Sequence, residues 1–384
     1  MRLLLTVHHG LDPNTGAPGA TLALGNELAR LGHAVSYLSH DDLPQRLPAL
    51  AKEVLFPELA ARMLRRRAAA VDVVDASTGD AWLWARLGRR GAGTSTALVT
   101  RSHGLEHRFW EEEMTEARSA GRRLPLRTRL YHGRWRLREV AGSLRASDAC
   151  VFLNRGDRDY AVARLGVDAA RSHVVANGIP AAFLEDDATG QPAAGEIGIA
   201  HIGSWAERKG SRYFAAGIGA VLERHPGARV SLVGTRAPAD LVSGAFPAAV
   251  RSRVVVVPEY EHERLPELLA GHQIVVSAAL AEGFSLALPE AMARGLVPVA
   301  TAVGAAPELI RDGENGMLVP ARDADALDAA VSGLVDSPQR LAALRRSARE
   351  TAERYSWEAV ARANVAVYDA ARAYAAGRSA SAIT

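Results

Sequence analysis

Glu282 and Glu290 stand eight positions apart in the run Glu282-Gly-Phe-Ser-Leu-Ala-Leu-Pro-Glu290-Ala-Met-Ala-Arg-Gly295-Leu-Val-Pro-Val299. The preceding Gln273-Ile-Val-Val-Ser277 is apolar without alternation, as expected of a short buried strand in a parallel sheet. Ala278 to Phe284 then reads as a strand-to-helix loop, with Ser285 as N-cap, Pro289 tolerated in the first turn and Gly295 as the stop. In open parallel sheets ligands lie beyond the carboxyl ends of the strands, where free helix amides favour an anion such as phosphate. A carboxylate repels that phosphate. Two of them there suit the hydroxyl groups of a sugar or ribose, so the pattern fits a nucleotide-sugar.

A second constellation, His201-Ile-Gly203-Ser204-Trp-Ala-Glu-Arg208-Lys209-Gly210, follows another apolar run. Gly203 allows close backbone approach, and Arg208 and Lys209 can neutralise a diphosphate. The order Lys-Gly-Ser does not make a Walker A loop, which needs Gly-Lys-Ser/Thr. Lys52 and Lys209 are the only lysines in a chain whose other basic positions are arginine. A lysine kept against that bias suits a compact ammonium at a phosphate.

These motifs resemble those of the retaining GT-B glycosyltransferases of family 4 (glycosyl transferases group 1), whose signature is Glu-x7-Glu. The likeness runs from the first strand to the helix at Trp357. It implies two facing Rossmann-like α/β domains around a cleft, with the nucleotide-sugar on the second and the acceptor on the first. It implies that Glu290 accepts from the ribose and Glu282 from the donor sugar, and that the amides of Gly283, Phe284 and Ser285 are neutral donors. Lys209 and Gly210 match the family's phosphate loop. Ser204 stands where an arginine is usual, and Arg208 is nominated to replace it. In the loop Asp12-Pro-Asn-Thr-Gly16-Ala-Pro-Gly19, Gly16 matches the glycine near the donor diphosphate, while Ala17 replaces a second glycine. Ser102-His103-Gly104 matches a histidine beside the transferred carbon, and Glu106 and His107 become acceptor contacts. His9, beside His8 at the end of strand one, either lines the cleft or is a satisfied core histidine. No cofactor and no metal are expected. Asp157-Arg-Asp159 and Asp323-Ala-Asp325 lie at helix beginnings, where capping accounts for aspartate.

At 384 residues the chain suits two domains. An opening strand Leu3–Val7, a loop from His8 to Gly19 and a helix Thr21–Leu31 begin the first, 1–185. A polar linker, Glu185 to Glu196, separates it from a second, 190–356. The helix 357–376 returns to the first domain, and Arg378 to Thr384 is expected to fray.

A hydrophobic content of 48% and a charged content of 23% exclude a disordered chain. Lys+Arg 46 against Asp+Glu 43 demands no nucleic acid. The single cysteine, Cys150, excludes an internal disulfide and fits a reducing cytoplasm. The stretch Arg118 to Arg145 interleaves arginines with Leu126, Leu130 and Trp135, and reads either as a solvated face or as a peripheral membrane contact. The expected activity is transfer of a sugar from a nucleotide-diphosphate-sugar to an acceptor hydroxyl, on a sugar, lipid-linked sugar or natural product, with retention and without metal. A GT-B epimerase or phosphorylase is the alternative, or a catalytically silent nucleotide-sugar-binding module. Base, sugar, acceptor and oligomeric state are not legible.

Overall fold

The computed structural model describes residues 1–87, 89, 96–184 and 196–381. The chain divides into two compact units, Met1–Gly178 with Trp357–Thr384, and Ile179–Ser356. The expected linker lies outside the described residues except for Glu196.

The first unit holds strands β1 (Arg2–Thr6), β2 (Ala34–Leu38), β3 (Val73–Ser77), β4 (Ala97–Ser102), β5 (Ala149–Phe152) and β6 (Ser172–Val174). They form one parallel sheet in the order β2-β1-β3-β4-β5-β6. The second unit repeats the plan with β7 (Ile197–Ile202), β8 (Ala228–Val233), β9 (Val254–Val257), β10 (Ile274–Ser277), β11 (Val297–Thr301) and β12 (Met317–Val319). Its order is β12-β11-β10-β7-β8-β9, again parallel. Near-continuous Val/Ile/Leu/Ala strands follow from this, because helices cover both faces of a parallel sheet. Chain direction across the sheet reverses between β1 and β3 in one unit and between β7 and β10 in the other. Loops leaving neighbouring strands at such a point part to opposite faces and leave a crevice.

Several boundaries differ from the sequence reading. The first helix begins at Gly16, not Thr21, after an extended Thr15. The Gly19 amide already bonds Thr15 O at 2.8 Å, and Pro18 is harmless in a first turn that needs few donors. Ser285 is not the cap of its helix, which spans Ala287–Ala293 behind Leu286. The basic stretch is not one helix: a π turn, Tyr131–Arg136, separates helices Leu126–Leu130 and Leu137–Ala146. Gly133 lies in that turn, where a Cβ would come within 2.2 Å of the Trp110 ring. The final helix runs from Trp357 to Ser381, beyond the expected end at 376; only residues 382–384 of the tail fall outside the described residues.

That helix is bound to the first unit by a buried polar network. Asp75 on β3 accepts from Arg101 on β4 at 2.6 Å and from the Tyr368 hydroxyl at 2.6 Å. Arg101 also donates to Asn364 Oδ1 at 2.6 Å. Buried charge of this kind is held by mutual pairing, since any member alone would be costly.

Candidate functional site

In the second unit, the loops after β7 and β10 meet at the point where chain direction reverses. Lys209 ends a short 3-10 turn, Glu207–Lys209, closed by Gly210 at φ +69°. A Cβ on Gly210 would lie 1.9 Å from Ala278 O, so only glycine lets the two loops touch. The Leu280 amide bonds Arg208 O at 2.8 Å, and the Arg208 guanidinium donates to Ala281 O at 2.9 Å. The contact delivers the Lys209 ammonium onto the Glu282 carboxylate, with Arg208 3.8 Å away. Burial raises the Glu282 pKa, but Lys209 and then Arg208 outweigh it and hold the carboxyl below its usual range. The ion pair is mostly enclosed, with 19% of the Lys209 side chain and 15% of the Glu282 side chain exposed.

Gly203 follows β7 directly, at φ +137°. Its amide bonds Val233 O at 2.8 Å in the sheet, so the residue offers conformation and close approach but not a free N–H. Ser204 follows it, with its carbonyl accepting from the Ala206 amide at 3.0 Å. Phe284 is buried, its ring 6.4 Å from Tyr355. Glu282 and Gly283 are held from below by Gly304 at φ +56°: a Cβ there would lie 2.3 Å from Glu282 O.

Glu290 sits inside its helix and is buried. It pairs with His262 Nε2 at 2.9 Å, a partner the sequence reading missed. The hydrogen bond to Glu290 raises the His262 pKa. His262 comes from the turn after β9, as does Tyr260, whose hydroxyl burial pushes up to about 12. A cavity of about 410 Å³ lies there, lined by Val257, Glu259, Tyr260, Glu261, Arg264 and Leu268. Nothing in the spacing of these residues marks them. Only the adjacency of β8 and β9 at the sheet edge does.

In the first unit, His103 follows β4 directly. Both its ring nitrogens are buried without a hydrogen-bond partner. Burial first, and Arg101 second, pull its pKa down to about 4, so it is a neutral imidazole. Glu106 opens the helix Glu106–Ser119 and is engaged within the protein: Thr78 Oγ1 donates to it at 2.7 Å, and Arg136 lies 3.5 Å away. His107 is half-buried beside the Tyr160 ring at 6.4 Å, and burial takes its pKa down to about 4. His9 is exposed, and its carbonyl accepts from the His40 amide at 3.0 Å. Its neighbour His8 is the satisfied one, held by Asp80 at 2.8 Å. Gly16 lies in the first helical turn, where a Cβ would meet nothing within 4 Å, so space does not require glycine there.

Of the nominated residues, Arg208, Lys209, Glu282 and Gly203 thus gather at one loop junction. Glu290 belongs to the same unit but to a separate pairing. His9, Gly16, His103, Glu106 and His107 belong to the other unit. Asp323 caps its own helix by accepting from the Ala326 amide at 2.8 Å, whereas Asp157 reaches another helix, accepting from the Leu105 amide at 3.0 Å and from Arg108 at 3.0 Å. The helix that holds Asp157 is capped by Asn154, whose Oδ1 accepts from the Asp157 amide at 2.7 Å.

Two family models match the chain, "Glycosyltransferase Family 4" over residues 15–183 and "Glycosyl transferases group 1" over residues 196–337. Over 111 residues, 28% of this chain and 27% of the relative, it is 44% identical to an MMP alpha-(1->4)-mannosyltransferase from Mycolicibacterium hassiacum. The stretches matched in the first three curated relatives cover 27%, 42% and 56% of their lengths. Among solved structures, sucrose-phosphate synthase from Thermosynechococcus elongatus superposes with a TM-score of 0.74 at 20% identity, covering 96% of this chain and 98% of that one. Anabaena HepE in complex with UDP gives 0.68 at 16% identity, covering 96% and 99%. The fold is that of the GT-B glycosyltransferases. With a family 4 model on the first unit and a group 1 model on the second, the chain belongs to the family 4, group 1 glycosyltransferases.

Proposed function

We propose that the protein transfers a sugar from a nucleotide-diphosphate-sugar to an acceptor hydroxyl with retention of configuration and without a metal at the diphosphate. The observation that carries this reading is the Lys209–Glu282 pair at the junction of the loops after β7 and β10. Lys209 and Arg208 supply the positive charge for a diphosphate that many nucleotide enzymes obtain from Mg2+. Glu282, once the ammonium turns to phosphate, is free to accept from the donor sugar's hydroxyls. Glu290 takes the ribose, oriented by His262, and the cavity beside Tyr260 takes the base. Among the described residues the Phe284 and Ser285 amides donate to no protein acceptor, which leaves them for the leaving diphosphate as its bond to the sugar breaks.

The first unit would carry the acceptor. His103, neutral and with both nitrogens free of partners, suits a sugar or acceptor hydroxyl. Retention here follows from same-face attack, in which the leaving phosphate takes the acceptor proton; no enzyme nucleophile is nominated. The test is turnover of UDP-, GDP-, ADP- and TDP-sugars against sugar and lipid acceptors with no added Mg2+ or Mn2+, with the product anomer read by NMR. Transfer with an inverted anomer would overturn retention. A rate that appears only on adding metal would overturn direct neutralisation by Lys209 and Arg208. Sugar release that needs inorganic phosphate and no acceptor would favour the phosphorylase reading.

We place the work in the cytoplasm, in keeping with a single, unpaired cysteine, Cys150. No helix among the described residues is long and apolar enough to cross a membrane. A peripheral contact is favoured by one surface: Leu126, Leu130 and Trp135 are 67%, 52% and 47% exposed, among exposed Arg122, Arg123, Arg127, Arg129 and Arg134. Binding to anionic but not zwitterionic vesicles, weakened by Trp135→Ala, tests it; no binding to either at low salt overturns it.

A further inference from the structure

Three titratable side chains with no part in the transfer meet in the first unit. His8 follows β1, His40 follows β2, and Glu53 lies in the helix Ala49–Arg67. The ends of the two strands are tied by the Val7 amide on Leu38 O at 3.0 Å and the His40 amide on His9 O at 3.0 Å. One ligand-type atom from each of the three lies within 4.8 Å of the others, and His8 Nε2 is 4.0 Å from Glu53 Oε1. The two imidazoles stack edge-on at 5.4 Å, both against Phe56 at 4.9 and 5.0 Å. His40 Nε2 is buried and has no hydrogen-bond partner.

We propose that His8, His40 and Glu53 form a binding site for a divalent transition-metal ion of the zinc type, with Asp80 as the supporting carboxylate behind His8. Two imidazoles and a carboxylate are a recurrent donor set for such ions, and three protein ligands leave a position for water or another oxygen ligand. The support is already built. His8 Nδ1 bonds Asp80 Oδ1 at 2.8 Å, and Thr6 Oγ1 donates to Asp80 Oδ2 at 2.7 Å. A metal-bound histidine commonly donates its second nitrogen to a carboxylate in this way, which fixes ring orientation and tautomer. In the structure His8 Nε2 bonds the Glu53 carbonyl oxygen at 2.7 Å. The ion takes the place of that proton, which passes to solvent, and the coordination follows without redox change. Donors around a tetrahedral zinc stand about 3.3 Å apart, given bonds of about 2.0–2.1 Å. The present spacing, within 4.8 Å, therefore closes by up to about 1.5 Å. The Glu53 side chain is 40% exposed and can swing in, while the imidazoles are held by their packing.

The site owes nothing to the donor residues of the second unit, so it stands or falls apart from the transferase reading. Its signal was invisible in sequence, because the ligands come from three elements with no common spacing.

The test is titration of untagged, chelator-stripped protein with zinc chloride by calorimetry, and with cobalt(II) by visible absorption, which reports tetrahedral geometry. One ion per chain is expected, with binding lost about a hundredfold or more in His40→Ala and in Glu53→Gln. Asp80→Asn, which removes no ligand, should weaken binding by about 10–100-fold. Melting curves taken without metal identify any variant that fails to fold, and Glu53→Gln, at a half-exposed position, keeps the test open if another does. Absence of stoichiometric binding in the wild type overturns the proposal. So does binding that is unchanged in His40→Ala, which would put the ion on other histidines.

Discussion

Lys209 and Glu282 bind each other in the free protein, so on the proposed reading a diphosphate competes with Glu282 for the ammonium. Substitutions at the two residues should therefore move nucleotide affinity in opposite directions. Lys209→Ala removes a charge-assisted contact, which is typically worth about 1.5–3 kcal/mol, or about 10–150-fold in Kd for the bare nucleoside diphosphate. Glu282→Gln keeps shape but removes a negative charge close to the proposed diphosphate position. With both side chains four-fifths or more enclosed, an effective dielectric near 20 applies. At about 5 Å the direct repulsion is then about 3 kcal/mol, of which the positive charge of Lys209 and Arg208 offsets a large part. A net gain of about 1 kcal/mol, roughly fivefold tighter binding, is expected. The same variant should lose turnover by about fivefold or more, because an amide accepts less strongly from the sugar's hydroxyls. Calorimetry with UDP, GDP, ADP and TDP, followed by initial rates with the matching nucleotide-sugar, reads both effects. Equal weakening by both substitutions would show that the ion pair only holds the loops together, and the competition argument would fail. Acid titration gives an independent check. Because the Glu282 pKa is depressed, its contribution to stability is full above the ordinary value of 4.5 and is lost as pH falls through the lowered value. Lys209→Ala should move that acid transition to higher pH.

Gly304→Ala forces an L side chain to φ +56° and places its Cβ against Glu282 O. We expect a loss of about 1–3 kcal/mol in the second unit, about 2–10 °C in its melting temperature, together with weaker donor binding. An unchanged melt would refute the close approach. Raised by Glu290, the His262 pKa gives stability that is full below 6.5 and lost as pH rises through the shifted value. Thermal melts of the wild type should fall across that window, and those of His262→Gln should not. Tyr368→Phe removes one donor to buried Asp75 and should cost the first unit about 1–3 kcal/mol in urea unfolding. A change confined to the second unit's transition would contradict the assignment of the last helix.

The parallel α/β plan was legible because buried strands such as Gln273–Ser277 and Ile197–Ile202 are largely apolar runs without alternation, a local signal. Glu282, Glu290 and Lys209 were legible because each lies in a motif contiguous along the chain. The partners that tune them were not. His262 is 28 residues from Glu290, and Asp80 is 72 residues from His8, distances that only strand order brings to contact. The sequence reading also could not show that Lys209 and Glu282 neutralise each other in the free protein, since a motif fixes proximity but not the unliganded pairing. Ser285 was misplaced as a cap because the last residues before Ala287 already turn without it. Gly16 was read as loop because the proline and glycine beside it mark a break, and a first helical turn tolerates both.

A structure of the protein bound to its nucleotide-sugar tests the central claim most directly. The expected result is the Lys209 ammonium on a diphosphate oxygen, Glu282 released to the sugar's hydroxyls and Glu290 on the ribose. A diphosphate lying away from Lys209, with the Lys209–Glu282 and His262–Glu290 pairs unaltered, would contradict it.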